Sequence, residues 1–259
     1  MEIWQAIVLG AVQGFTEFLP VSSSGHLLLL QHWFGIEEGS VFFTVMMHLA
    51  TLIPVVIVLW GEIVKIFKKP FPSLWYLVVA TIPAGIVGIF MSVVYDLDKL
   101  FNENIWLLGI TFLITAGEML FSEIYAKRHE QKGEINFKSS FIMGCGQAVG
   151  VVQGISRSGS VITAGTLAKV ERNQCANFTF LMSIPIILAA VAMELLKGFT
   201  GEGFGQIGIT SLAFGVVTAI VCGYIAAKFM LRLIKKANFK WFAVYLLFAS
   251  ASAFITAFV

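Results

Sequence analysis

The chain has 259 residues, of which 58% are hydrophobic and only 12% are charged, and its mean hydropathy is +0.88. A soluble domain carries about 25% charged residues, so this composition excludes an ordinary soluble protein and indicates an integral membrane protein. The formal net charge of +2 is too small to suggest nucleic-acid binding. The three cysteines lie far apart without metal-ligand spacing, so we predict neither a metal cluster nor a disulfide framework.

The first element in the chain is a polar break between two short apolar runs, residues 3–12 and 27–33. The break, residues 13–26, reads QGFTEFLPVSSSGH and contains a carboxylate, three serines and an imidazole. Each run is too short to cross a hydrocarbon layer of about 30 Å as a helix. We therefore predict a re-entrant helix–loop–helix hairpin that dips into a membrane, with its loop buried in protein or lining a wet cavity.

Six apolar stretches are long enough to span a membrane, and a second broken segment lies between the third and the fourth. The predicted spans are Val41–Trp60, Leu74–Val94, Ile105–Phe121, Phe178–Leu196, Ile207–Ala227 and Trp241–Phe258. In the second broken segment, apolar runs flank residues 153–160, QGISRSGS. The predicted fold class is an all-α polytopic membrane protein with six transmembrane helices and two re-entrant hairpins.

The two broken segments match at a fixed offset of 134 residues. This offset carries Gly10 onto Gly144, Gln13 onto Gln147, Ser22 onto Ser156, Ser24 onto Ser158 and Gly25 onto Gly159. We predict one membrane domain, residues 1–259, built from halves 1–125 and 135–259. Because three spans follow each hairpin, the second half would lie upside down relative to the first, as in inverted-repeat transporters.

The basic residues predict the orientation of this domain. With the N-terminus outside, the outer loops hold only Lys99 and Lys197, and every other basic residue except Arg157 lies in an inner loop. Both termini are then outside. The first hairpin would enter from outside and the second from the cytoplasm, so their tips would meet within the bilayer.

The two polar breaks have the residue types of an anion site. Helices that start at Ser22–Gly25 and at Ser156–Ser160 would direct free N–H groups and their dipoles to one point. Arg157 adds a guanidinium suited to phosphate oxygens, and its partner is either Glu17 or a ligand phosphate. The candidate phosphate-binding residues are Gln13, Ser22, Ser24, Gly25, Ser156, Ser158, Gly159 and Ser160.

The catalytic candidates are Glu17, Ser23, His26 and Arg157. Ser23 would act as nucleophile or phosphate ligand, and His26 as its base or as the acid for a leaving group. Structural alternatives are plain helix caps at the serines, a structural ion pair between Glu17 and Arg157, and a core histidine at His26. The recurrence of the pattern in both halves favours a functional site.

Two other polar residues inside predicted spans are weaker candidates. His48 lies in the middle of the first span, and Glu118 lies near the end of the third. We expect a helix-packing role for both.

Residues 13–26 resemble the (E/Q)xxxE-to-SSxGH signature of the undecaprenyl-diphosphate phosphatase, or bacitracin-resistance, family. Residues 154–160, GISRSGS, are similar to the second, PGxSRS-type signature of that family. The resemblance covers essentially the whole chain. It implies a hydrolase of the bacterial plasma membrane that removes the terminal phosphate of undecaprenyl diphosphate at the outer face. Such an enzyme recycles the carrier lipid for peptidoglycan synthesis, supports cell shape and confers bacitracin resistance.

The resemblance also assigns roles by motif match. Glu17 is the second acid of the signature and His26 its histidine. Ser23 matches a proposed nucleophile or phosphate contact, and Arg157 matches the phosphate-binding arginine. The implied partners are the polyprenyl substrate and membrane lipid, and a homodimer is a further expectation.

The chain departs from the family pattern at two positions. Gln13 stands where many members have a first glutamate, and Gln153 replaces the proline before Gly154. We still expect a divalent cation, Mg²⁺, with Glu17 as its ligand, because one or two carboxylates suffice when phosphate oxygens complete the shell.

Two other function classes compete with a hydrolase. An inverted repeat suits alternating access, so the same anion site would serve a transporter that carries undecaprenyl phosphate across the membrane. The phosphatidate phosphatase type is excluded, because it needs a histidine after Arg157 and the last histidine of this chain is His129.

Overall fold

A computed structural model describes residues 1–36, 40–68, 72–94, 97–197, 199, 207–234 and 238–258. Within these ranges the chain forms helices and no β-strand, apart from an isolated bridge between Gly133 and Val170. The helices are α1 (Ile3–Thr16), α2 (Ser23–Trp33), α3 (Ser40–Val58), α4 (Trp60–Ile66), α5 (Pro72–Val94), α6 (Leu97–Glu103), α7 (Trp106–Arg128), α8 (Phe137–Val149), α9 (Arg157–Leu167), α10 (Arg172–Lys197), α11 (Ile209–Ile234) and α12 (Lys240–Phe258).

Six of these helices, α3, α5, α7, α10, α11 and α12, are long and apolar enough to cross a membrane. The all-α polytopic fold class is therefore confirmed. Their ends differ from the prediction where charged turns continue a helix, since α7 runs on to Arg128 and α10 already begins at Arg172. Hydropathy detects only the apolar part of such a helix. Three of the predicted inner-loop lysines, Lys69, Lys235 and Lys236, lie outside the described residues.

Two helix pairs, α1 with α2 and α8 with α9, lie where the two hairpins were predicted, and the two helices of each pair contact each other. That each pair re-enters the membrane stays a prediction. Both ends of the first pair lie where α11 begins and α12 ends. Here Ser211 donates to the Met1 carbonyl, and Trp33 donates to Thr256. The second pair begins beside the start of α10, where Ile135 N donates to Gln174. The start of α10 lies beside the start of α12, because Arg172 and Phe239 N both donate to Glu123. The first pair therefore lies at the end of α12 and the second pair begins at the opposite side of the bundle.

The first helix of each pair packs on a long helix of the other half, α1 on α11 and α8 on α5. Both crossings depend on small residues. A Cβ added at Gly10 would collide with the backbone of Gly215, and one added at Gly144 would collide with the backbone of Ala80. Gly10 and Gly144 are related by the 134-residue offset, so equivalent positions make equivalent close contacts.

The loops of the two pairs meet in the interior. Phe18, in the first loop, is 1% exposed and packs edge-on against Phe180 of α10, with ring centroids 5.6 Å apart. A Cβ added at Gly25 would lie only 2.9 Å from the Cα of Gly154, in the second loop. Gly154 has a φ of 81°, a left-handed conformation that favours glycine. The two polar breaks are therefore direct neighbours.

Candidate active site

Each loop ends in a serine that caps the following helix. Ser22 Oγ accepts from Gly25 N at 3.3 Å at the start of α2, and Ser156 Oγ accepts from Gly159 N at 3.1 Å at the start of α9. The predicted helix caps are thus present. They engage the N–H groups of Gly25 and Gly159, so those two glycines do not offer free donors to a phosphate. The backbone N–H groups at the starts of α2 and α9 have no acceptor within their own helix, so they can bind an anion.

Glu17 is the centre of a buried polar cluster. Its Oε2 accepts from Ser23 Oγ at 2.7 Å and from Gln13 Nε2 at 2.9 Å, and lies 2.9 Å from His48 Nδ1. Its Oε1 accepts from the Arg157 guanidinium. Glu17 is itself 8% exposed. A buried carboxylate with donors at both oxygens is held as an anion in one orientation.

The ion pair of Glu17 and Arg157 joins the two halves of the chain. Arg157 is the first residue of α9, and its side chain is more exposed than that of Glu17, at 22% against 5%. A second bond across the loops runs from Ser158 Oγ to the Leu19 carbonyl, at 3.2 Å. Part of the Arg157 side chain therefore stays accessible while one guanidinium nitrogen contacts Glu17.

His48, for which we predicted a helix-packing role, is part of the Glu17 cluster. Nδ1 of His48 contacts both Glu17 and Gln13, each at 2.9 Å, from the middle of α3. His48 is far in sequence from residues 13–26, so the sequence did not predict this contact. The one sequence feature that pointed to a role was a histidine within an apolar span. Glu118 does have a packing contact, because it accepts from Ser160 Oγ at 2.8 Å and so joins α7 to α9.

His26, in contrast, is not part of the Glu17 cluster. Its Nδ1 lies 2.7 Å from the Ser22 carbonyl and its Nε2 lies 2.8 Å from Tyr245 Oη, so both ring nitrogens are engaged elsewhere. The prediction placed His26 beside Glu17, Ser23 and Arg157, and its hydrogen bonds differ from that arrangement. The reason is tertiary packing, since α12 lies against α2 and its Tyr245 binds the His26 ring.

A cavity of about 1020 Å³ extends from this cluster. Its polar part is lined from both loops, by Thr16, Glu17, Ser22, Ser23, Ser24, Gln147, Gln153, Ser156, Arg157 and Ser158. Its apolar wall comes from α3, α5 and α10, and includes Ile89, Met91, Ile187, Ala190 and Met193. Of the predicted phosphate-binding residues, Gln13, Gly25, Gly159 and Ser160 are not among the described residues that line it.

The arrangement can bind a ligand with an anionic head and an apolar tail. Arg157 and two helix N-termini supply positive potential at the polar end. Ser23 supplies a hydroxyl whose proton is directed at a carboxylate. The apolar wall supplies a surface for hydrocarbon that continues from the polar end of the cavity.

Known proteins match this chain over nearly its full length. The model of the family described as bacitracin resistance protein BacA matches residues 6–252. A protein of Parabacteroides distasonis named undecaprenyl-diphosphatase is 39% identical, over 95% of this chain and 94% of its own length. A protein of Carboxydothermus hydrogenoformans with the same name is 37% identical, over 95% and 94%.

A third relative, from Bacillus thuringiensis subsp. konkukian and named undecaprenyl-diphosphatase 4, is 37% identical over 93% of this chain and 92% of its own length. The family match extends over both loops, over five of the six long helices in full and over α12 as far as residue 252. The resemblance that the two signatures suggested is therefore confirmed over nearly the full sequence. This chain belongs to the bacitracin resistance protein BacA family.

Proposed function

We propose that this chain hydrolyses undecaprenyl diphosphate to undecaprenyl phosphate and inorganic phosphate. The observation that carries the proposal is the contact of Ser23, Glu17 and Arg157 across the two loops, at the polar end of a cavity with an apolar wall. This combination provides a nucleophile, a base and a phosphate-binding cation beside a surface for a prenyl chain. The named activity of the relatives supports the same substrate.

In the proposed reaction, Ser23 Oγ attacks the terminal phosphorus and passes its proton to Glu17 Oε2, which already accepts that hydroxyl. The phosphoanhydride bond breaks, and undecaprenyl phosphate leaves with the bonding electron pair. Glu17 then releases this proton to solvent. In the second displacement, water attacks the phosphoserine and gives a proton to Glu17, which passes it to Ser23 Oγ as the serine P–O bond breaks and phosphate is released. Arg157 and the first N–H groups of α2 and α9 stabilise the charge on the non-bridging oxygens during both displacements.

His48 and His26 take positioning roles in this scheme. His48 holds Oε2 of Glu17 toward Ser23 from α3. His26 holds the Ser22 carbonyl, next to the nucleophile, and is itself held by Tyr245. We therefore assign to Glu17 the proton transfer that the sequence suggested for His26.

The residues around Glu17 would also be able to hold a divalent cation. Glu17 Oε2, His48 Nδ1 and the amide of Gln13 lie 2.9 Å from one another. Gln13 Oε1 is buried and has no hydrogen-bond partner among the described residues, so the amide can present oxygen by rotating. Glu17, His48 and Gln13 would hold the ion, expected to be Mg²⁺. It would supply positive charge toward the substrate phosphates.

We further propose that the protein lies in the bacterial plasma membrane with both termini outside and the cavity open to the outer face. The described part of the cavity wall includes the start of α3 and the ends of α5 and α10. Under the positive-inside orientation, these three ends are all outer ends. The tail of the substrate would lie along the apolar wall and in the surrounding lipid. A homodimer stays a prediction, to be checked by mass measurement in detergent.

The test is phosphate release from the purified protein in detergent, with a long-chain prenyl diphosphate as substrate and with or without EDTA. We expect release, and a loss of release with EDTA if the cation is required. Movement of prenyl phosphate across sealed vesicles is measured in parallel. Lipid movement without any phosphate release would contradict the hydrolase and favour a transporter.

A further inference from the structure

Gln147 is a buried amide without a protein partner. It is 1% exposed, and neither its Oε1 nor its Nε2 has a hydrogen-bond partner among the described residues. Buried polar side chains are nearly always bonded, and leaving one unpaired costs stability. A residue that carries this cost without a structural benefit is a candidate for binding a ligand.

The position of Gln147 is beside the catalytic cluster. It lines the same cavity as Ser23, Glu17 and Arg157. It lies about one turn before Gly150, at which an added Cβ would be only 2.5 Å from the Cα of Arg157. The end of α8 therefore approaches the start of α9 closely, and Gln147 is part of the cavity wall near that contact.

The two halves of the repeat differ in the partner that they offer to this glutamine. Gln147 corresponds to Gln13, whose amide donates to Glu17 at 2.9 Å. The residue that corresponds to Glu17 is Val151, which has no polar side chain. The glutamine of the second half thus lacks the carboxylate partner that the first half provides, and its N–H donors are left for another acceptor.

We infer that Gln147 is a substrate-binding residue whose Nε2 donates to a non-bridging phosphate oxygen of the lipid diphosphate. The inference rests on the proposed function and adds a donor from α8 to those from Arg157 and the helix N-termini. A neutral amide suits this place, because it donates to the anion without competing with Arg157 for Glu17.

Gln147→Leu tests this assignment, because it removes both unpaired atoms and keeps a similar volume. We expect kcat/KM for a prenyl diphosphate to fall about ten- to a hundredfold, as for the loss of a bond to a charged group. The melting temperature in detergent should stay the same or rise, because no protein bond is lost. Gln147→Glu should lower kcat/KM further, because it adds a negative charge beside the phosphates.

Ser140→Ala is the matched control. Ser140 lies on the same helix and also has a buried oxygen without a partner among the described residues, but it is not one of the described cavity-lining residues. Its removal should leave kcat/KM unchanged. Inorganic pyrophosphate should raise the melting temperature of the wild type and of Ser140→Ala more than that of Gln147→Leu.

The outcomes separate this inference from the proposed function. If Gln147→Leu has wild-type kcat/KM and wild-type protection by pyrophosphate, Gln147 does not bind substrate, while the hydrolase stands. A lower melting temperature with normal kinetics would likewise show a structural role. If the wild type releases no phosphate but Gln147→Leu still loses protection by pyrophosphate, the anion site stands and the hydrolase fails.

Discussion

Replacing His48 by alanine removes the one contact that α3 makes with the Glu17 carboxylate among the described hydrogen bonds. Oε2 of Glu17 keeps Ser23 at 2.7 Å and Gln13 at 2.9 Å, and Oε1 keeps Arg157, so the carboxylate stays paired. We therefore expect the variant to fold. A hydrogen bond to a charged group contributes about 1.5–3 kcal/mol. Its loss from the transition state corresponds to a decrease in kcat of about ten- to a hundredfold.

The assay is phosphate release by purified protein in detergent, with kcat and KM determined separately. Because His48 orients Glu17 rather than touching the phosphate, kcat should fall and KM should change little. His48→Gln should recover much of the lost kcat, because its amide can donate to Oε2, whereas a merely space-filling role would be met equally well by His48→Leu.

The matched comparison is with His26, which contacts Ser22 and Tyr245 instead of Glu17. His26→Ala and Tyr245→Phe should each lower kcat less than His48→Ala does, by under about tenfold. Wild-type kcat in His48→Ala, together with a large loss of kcat in His26→Ala, would refute the proposal that His48, and not His26, orients Glu17.

The remaining predictions concern the nucleophile, the second loop and the buried carboxylate of Glu123. Ser23→Ala should lower phosphate release by at least about a hundredfold, and a wild-type rate would instead assign the attack to water. Gly154→Ala should lower the free energy of unfolding by about 1–3 kcal/mol more than Gly35→Ala, since both have positive φ but only Gly154 has close neighbours. Glu123→Gln should lower the free energy of unfolding by about 2 kcal/mol, because Glu123 of α7 is buried and binds Arg172 of α10 and the backbone N of Phe239. Glu130→Gln should change it almost not at all, because Glu130 pairs with a lysine at the surface.

The architecture could be predicted because its signals are local. Six apolar stretches and two short broken segments are visible in hydropathy alone, and the offset between Gly10 and Gly144 indicates two related halves. The short helices α4 and α6 carry no such signal and were not predicted. Helix ends such as Arg128 and Arg172 were missed because water, not hydrocarbon, surrounds charged turns.

The site could be predicted only as far as its residues are close in sequence or repeated. Glu17 and Ser23 lie in one loop, and the repeat pointed to Arg157, so their meeting was expected. His48 reaches the cluster through the packing of α3, which no local pattern encodes. The engagement of His26 by Tyr245 depends on the rotation of α2 against α12, which is likewise a tertiary property.

In the proposed reaction, Glu17 and Arg157, from the two helix pairs, act as one catalytic unit. A double-mutant cycle on phosphate release by Glu17→Ala, Arg157→Ala and the double variant tests it most directly, with exposed Arg128→Ala as the control. We expect each single variant to lose at least about a thousandfold in kcat/KM, with the double variant little worse than either. Wild-type turnover in either single variant, or losses that simply multiply in the double variant, would contradict the claim.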